Sequence, residues 1–327
     1  MTKKTMIKLH HDHAYLLGAG TSISAGIPLT KQFLPKLMEE ERFDKRLKGL
    51  RAFIKDFFAE SLKLKIYPKF EQVLSLLDIA ISEDHYLSTT YHHKYLRQLR
   101  SDLDYLTWKM LEQSSTQNNF NVFNSFIEKT PASTLFLSLN YDTLIDHSIL
   151  RKYQNINYGI NFSKIYSSLD LSYNELCPSL IKLHGSINWL FCPNCQTFYC
   201  YLGNQEIKKI FSNSPEVCHY DQSYLKGILI SPTWQKNYNL APISLMWIKA
   251  SKLLRDVKKI TFVGYSLSDI DMKVIYLLKR SIFNNRHNPV IEVVDPDSSE
   301  KVFDRYRRIF GEITPIRKTF EEFVKDI

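Results

Sequence analysis

Short, continuously apolar runs alternate along the chain with longer stretches whose apolar positions recur every three or four residues. Residues 14–17, 133–139, 180–183, 228–230, 260–263 and 290–294 are the apolar runs, bounded by Gly, Pro, Asn or Asp. Such runs predict buried strands. Helical spacing covers 31–41 (Phe33, Leu34, Leu37), 43–66, 70–81 and 96–110, with Leu96, Leu99, Leu103, Leu106 and Met110 forming a seam. The seam predicts packing against neighbouring helices rather than a subunit interface. Further helices are predicted at 120–129, 144–150, 243–254, from Ile270 to Leu278 with Asp269 as its cap, and at 299–310. Residues 151–178 show no periodicity, and a short tail follows the last helix.

Continuous apolar strands separated by helices predict a parallel sheet covered on both faces, a doubly wound α/β fold. Residues 35–130 read as a helical block inserted after the first strand and helix, and 187–227 as a small cysteine-containing insertion, all within one domain over 1–327.

In such sheets the ligand lies outside the carboxyl ends of the strands. Five polar motifs stand there: Gly18-Ala19-Gly20, Asn140-Tyr141-Asp142, His184, Gly264-Tyr265-Ser266 and Asp295. Gly18 and Gly20 permit positive φ and leave room for a phosphate, while Thr21, Ser22 and Ser24 supply hydroxyls where a helix would begin. Asn140 suits a sugar hydroxyl or a water, and Asp142 a neighbour to orient or a ribose hydroxyl; a plain turn is the alternative. His184 is matched to proton transfer near neutral pH, against the alternative of a structural histidine. A second glycine turn at Gly264 suggests one extended ligand reaching both. Asp295 could accept ribose hydroxyls, with Asp297 in that role or a turn at Asp295-Pro296 as alternatives.

Composition narrows the classes. The chain has 327 residues, 44% hydrophobic content and a formal net charge of +9, which favours anionic partners without naming one. Its basic residues are scattered in small groups, so nucleic-acid binding has no direct support. Residues 2–13 are polar and basic and no apolar run would span a bilayer, which predicts a cytoplasmic chain. Five cysteines then read as thiols or metal ligands rather than disulfides. Cys192-Pro193-Asn194-Cys195 has the spacing of half a zinc site, with Cys218 and either Cys200 or His219 to complete it. There is no Gly-x-Ser-x-Gly elbow, His-Glu-x-x-His helix or Gly-Lys-Ser/Thr phosphate loop.

Gly18-Ala19-Gly20-Thr21-Ser22 with Ala25-Gly26-Ile27-Pro28, Asn140-Tyr141-Asp142, Lys182-Leu183-His184-Gly185-Ser186 and Gly264-Tyr265-Ser266-Leu267 together resemble the Sir2 (sirtuin-like) superfamily. The set is most similar to its bacterial branch associated with antiphage defence. The resemblance implies a Rossmann-type NAD-binding domain with an inserted helical module and a small, often zinc-bearing module. It implies that Gly18, Ala19, Gly20, Thr21, Ser22 and Pro28 sit at the pyrophosphate and nearby ribose. Asn140 and Asp142 would sit at the nicotinamide ribose, His184 would be the catalytic histidine, and Gly264, Ser266 and Asp295 would meet the adenosine half. Zinc would be held by Cys192, Cys195 and Cys218. Protein-deacylating sirtuins carry a phenylalanine-glycine-glutamate stretch where this chain has Ile230-Ser231-Pro232-Thr233-Trp234-Gln235-Lys236. Their two Cys-x-x-Cys pairs are also incomplete here. The implied activity is therefore NAD+ hydrolysis, with deacylation and a non-catalytic NAD or ADP-ribose sensor as alternatives. A toxic activity of this kind implies control by homo-oligomerisation or a regulatory protein partner.

Overall fold

Ten strands and eleven α-helices carry the fold among the described residues of a computed structural model: 11–39, 45–83, 86–115, 120–167, 176–202, 216–229, 241–268 and 271–327. The strands are β1 (His13–Leu17), β2 (Leu135–Ser138), β3 (Lys164–Ser167), β4 (Ser179–Lys182), β5 (Gly185–Phe191), β6 (Phe198–Leu202), β7 (Lys226–Leu229), β8 (Lys259–Val263), β9 (Val290–Val294) and β10 (Thr314–Ile316). Six of them form one sheet in the order β10-β9-β8-β1-β2-β4, with every neighbouring pair parallel. From β1 the chain builds outward first through β2 and β4, then on the other side through β8, β9 and β10. The strand order therefore reverses between β1 and β8, the point where such sheets open a crevice.

The apolar runs form these strands because both faces are covered. Ala14, Leu16, Leu135, Phe136, Leu137, Leu180 and Ile181 are wholly buried. The doubly wound α/β fold expected from the pattern is the fold observed.

Between β1 and β2 the chain forms α1 (Thr30–Glu39), α2 (Lys45–Phe57), α3 (Ala59–Lys63), α4 (Phe70–Ser82), α5 (His93–Ser115) and α6 (Asn121–Lys129). The seam on α5 packs on α2 and α4, and Arg100 of α5 pairs with Asp78 of α4 at 2.7 Å. The single helix expected over 43–66 breaks at Phe58, whose φ is −126°. Phe53 and Phe57, one turn apart on α2, pack on Tyr91 with ring centroids 5.3 and 5.1 Å away.

The remaining helices are α7 (Leu144–Tyr153), α8 (Ala241–Leu253), α9 (Met272–Phe283), α10 (Lys301–Phe310) and α11 (Phe320–Asp326). Asp269, expected to cap α9, lies outside the described residues; Asp271 is its N-cap residue and accepts from the Tyr265 hydroxyl at 3.1 Å. The expected tail is α11 instead, opened by a Thr319/Glu322 capping box and packed on Phe123 and Phe126.

A second sheet, ordered β3-β6-β5-β7, was not foreseen as a sheet. Tyrosines stand in β3 and β6, and β5 leaves β4 after only two residues. Leu190, Cys192, Tyr199, Tyr201 and Cys218 form a small core of their own there.

Candidate active site

The turns that end β1 and β8 are packed directly on one another. The Gly18 amide donates to the Val263 carbonyl at 3.0 Å, and the Gly20 amide to the Gly264 carbonyl at 2.8 Å. A Cβ on Gly18 would lie 2.6 Å from the Gly264 oxygen, and one on Gly20 2.7 Å from the Gly264 Cα. Gly264 takes φ +60°, whereas Gly18 lies at −110° and Gly20 is not among the positive-φ residues. The expected reason for the first two glycines is thus corrected. They are small because a second backbone crosses them, not because they adopt left-handed φ.

The element after this turn also differs from expectation. Ala19–Ala25 is a seven-residue 3-10 helix, and the first α-helix starts only at Thr30. The Thr21 hydroxyl donates to the Gly18 carbonyl at 2.8 Å, and Gly26 at φ +82° closes the segment before Ile27-Pro28. The loop therefore offers hydroxyls and a tight backbone rather than the end of a long helix dipole.

Asn140 and Asp142, at the end of β2, lock onto this loop. Asn140 Nδ2 donates to the Gly18 carbonyl (3.0 Å), Thr21 Oγ1 (3.1 Å) and Ser22 Oγ (3.1 Å). A carbonyl can only accept, so the amide nitrogen must face the loop and Oδ1 must point the other way. Ser22 Oγ donates in turn to Asp142 Oδ2 at 2.8 Å, and the Leu144 amide donates to Asp142 Oδ1 at 3.2 Å. Burial pushes the Asp142 carboxyl above its ordinary value, against the Lys182 ammonium, the Ser22 hydroxyl and the Leu144 amide, which pull it down.

A pocket of about 70 Å³ opens beside this array, lined by Ala19, Ser22, Ile27 and Pro28 from the loop and by residues 139–142. Phe33 of α1, Phe70 of α4, and Thr107 and Leu111 of α5 form its other wall. Sequence reasoning missed these four as lining, since three of them carry only the apolar helical signal of core residues.

His184 lies in the turn between β4 and β5, 5% exposed, its ring centroid 6.4 Å from that of Tyr141 and 6.4 Å from that of Trp247. The Tyr141 carbonyl accepts from the Ile187 amide at 3.0 Å, which ties the His184 turn to the Asn140–Asp142 segment. Gly185, at φ +84°, passes under β7, where a Cβ would lie 2.3 Å from the Ile228 oxygen. Ser266 is exposed beyond Gly264. Asp295 stands at the end of β9, two strands from β1, and accepts from the Asp297 amide at 2.9 Å. The turn-forming alternative for Asp295 is thus part of its role. Asp297 is held down at about 2 by the Ser299 hydroxyl and the Val302 and Ser299 amides, so it serves the start of α10.

Cys192, Cys195 and Cys218 converge, and the fourth member is Asp221, with all four ligand atoms within 4.8 Å of one another. Cys200 and His219, expected as alternatives, are elsewhere: Cys200 Sγ meets Asn188 Nδ2 at 3.7 Å, and His219 Nε2 meets the Tyr166 hydroxyl at 2.5 Å. The two halves are near copies. In each, the amide at the third or fourth position donates to the first sulfur at 3.4 Å, and a glutamine follows at φ 59° (Gln196) or 60° (Gln222). Cys218-His219-Tyr220-Asp221-Gln222 echoes Cys192-Pro193-Asn194-Cys195-Gln196, and that echo was the signal available in the sequence. Three thiols and a carboxylate suit a tetrahedral zinc ion.

No protein-family model matches the sequence, and no curated protein matches it. Among solved structures, Sir2Tm bound to a propionylated peptide aligns at 14% identity over 96% of this chain and 90% of that chain, with a TM-score of 0.45. A Sir2 homologue mutant in complex with ADP-ribose aligns at 12% identity over 100% and 94%, TM-score 0.48. A structure concerning sirtuin substrate affinity aligns at 14% over 100% and 98%, TM-score 0.46. Likenesses at this level carry no functional assignment. Residues 230–236, where deacylating sirtuins differ in sequence, lie outside the described residues.

Proposed function

We propose that this chain is a Sir2-like NAD+ glycohydrolase that cleaves NAD+ with water to nicotinamide, ADP-ribose and a proton. The observation that carries the reading is the oriented array at the strand-order reversal, in which Asn140 is pinned by its nitrogen to the Gly18–Ser22 loop. Its amide oxygen is thereby committed as an acceptor for a ribose hydroxyl or the attacking water. Nicotinamide is a good leaving group, so the reaction needs mainly placement and charge stabilisation. Asn140 holds the nucleophile or ribose, His184 takes its proton, and Asp142 orients the array through Ser22. Gly18, Ala19, Gly20, Thr21, Ser22 and Pro28 form the pyrophosphate side, and Gly264, Ser266 and Asp295 the adenosine side.

Cys192, Cys195, Cys218 and Asp221 would hold a zinc ion that braces the second sheet and takes no part in the chemistry. In the cell the reading is of a regulated effector of antiphage defence that acts by NAD+ depletion, held off by homo-oligomerisation or a protein partner. The helical block, whose Phe70, Thr107 and Leu111 wall the pocket, is the proposed route for that control.

The test is nicotinamide release by purified Asn140→Ala and His184→Ala variants whose circular dichroism matches the unaltered chain. Each should lose at least about 100-fold in rate, the scale of a lost acid–base or positioning group. Turnover retained in both removes the site assignment. Nicotinamide release that depends on an acyl-lysine peptide would favour a deacylase, and tight ADP-ribose binding without turnover a sensor.

A further inference from the structure

A lysine sits where the fold gives it no water. Lys182, the last residue of β4, is 0% exposed. Its Nζ donates to the main-chain carbonyl of Asp142 at 2.5 Å and to Asp146 Oδ2 at 3.1 Å. Asp146, in the first turn of α7 and 2% exposed, accepts the Tyr158 hydroxyl on Oδ1 at 2.5 Å, and Asn188 Nδ2 donates to that hydroxyl at 3.3 Å. Lys182 thus pairs with the Asp146 carboxylate and holds the Asp142 backbone, while its charge also acts on the Asp142 carboxylate four positions away. A buried charge persists only where paired and fully hydrogen-bonded, and two carboxylates this close would otherwise oppose each other's ionisation.

We propose that Lys182 is a positioning residue: it fixes the Asn140–Asp142 turn and, by keeping Asp142 a carboxylate, sets the direction of the Ser22–Asp142 hydrogen bond that ties the Asn140 array to that turn. The inference rests on the hydrolase reading for its catalytic consequence, while the electrostatic part stands without it. With Asp142 a carboxylate, Ser22 must donate to it and accept from Asn140, as observed. With Asp142 a neutral acid, Oδ2 could itself donate to Ser22, and the polarity of the chain would no longer be unique. The charged groups acting on Asp142 are Lys182 from β4 and Asp146 from α7, and His147 of α7, Tyr158 beyond α7 and Cys200 of β6 face Asp146 or Lys182 in turn. Of these, Lys182 is the cation that favours an ionised Asp142.

The test uses the whole chain carrying ¹³C at the aspartate carboxyl carbons, with the Asp142 signal assigned from Asp142→Asn. In the unaltered protein at pH 7 Asp142 should resonate as a carboxylate, and in Lys182→Met as a carboxylic acid. Nicotinamide release by Lys182→Met should fall at least about tenfold in kcat with KM for NAD+ changed less than about threefold, the pattern of a lost transition-state interaction. The acid limb of its pH profile should move to higher pH. Lys182→Met/Asp146→Asn removes the opposing carboxylate together with the cation, and should recover part of the lost kcat, which a lysine with only a packing role would not allow. The double variant also serves if the single one does not fold, since it removes the Asp146 charge together with its ion-pair partner. A neutral Asp142 in the unaltered protein, a signal indifferent to Lys182→Met, or no rescue overturns the proposal. If Asp142 responds to Lys182 but no NAD+ is cleaved by the unaltered chain, the array stands and the hydrolase reading falls.

Discussion

Gly264, like Gly185, is constrained both by conformation and by crowding. Its φ of +60° is unfavourable for a side chain, and a Cβ there would lie 2.6 Å from the Thr21 nitrogen and 2.7 Å from the Gly20 carbonyl carbon. Both obstacles are backbone, so neither can swing aside. Gly264→Ala should destabilise the fold by roughly 2–4 kcal/mol, combining backbone strain with overpacking. Gly311 also has positive φ, +79°, but open space around it, so Gly311→Ala should cost only the backbone strain, about 1–3 kcal/mol. Urea unfolding of the pair separates crowding from conformation. His13 gives a second residue-scale prediction. Burial holds it down to about 4 from 6.5, with Lys259 adding to that shift and Glu292 opposing it. The unfolded chain therefore takes up the proton first, and stability should fall as pH drops from 6.5 to about 4. His13→Gln should flatten that segment of the urea-midpoint curve. The places of Asn140, Asp142 and His184 beyond the ends of β2 and β4 were legible because each follows an apolar strand. The buried pairing of Lys182 with Asp146 was not, because a lysine's partners across the chain leave no trace in local spacing.

At the scale of elements, legibility followed burial. The strands of the parallel sheet are mostly apolar because helices cover both faces, and five of its six were foreseen to within two residues. The sixth, β10, is three residues long and begins Thr-Pro, too brief for any period to register. The strand expected at 228–230 among the parallel strands is β7 of the second sheet instead, antiparallel to β5, and the sheet itself was hidden because its strands pair partly antiparallel around sulfur-bearing turns rather than around an alternating pattern. Those turns supply their own prediction. If both halves hold one zinc ion, Asp221→Cys should keep its metal longer against a chelator, since a thiolate suits zinc better than a carboxylate. Cys218→Ala should lose the metal and lower the melting temperature, and elemental analysis after dialysis checks both.

Across the whole molecule, the strand order explains why motifs 120 and more residues apart meet. Reversal between β1 and β8 puts the Gly18 and Gly264 turns side by side, and β2 delivers Asn140 and Asp142 next to them. The helical block adds what the motifs could not reveal, a wall of Phe70, Thr107 and Leu111 over the loop. Among the described residues no helix is long and apolar enough to cross a membrane. The central claim is that this crevice cleaves NAD+, and the direct measurement is a time course of NAD+ with the purified chain, resolved by mass spectrometry. The account predicts nicotinamide and ADP-ribose appearing in equal amounts with no acylated peptide present. NAD+ left intact by a stoichiometric amount of the chain, both dilute and at concentrations that drive self-association, would contradict it.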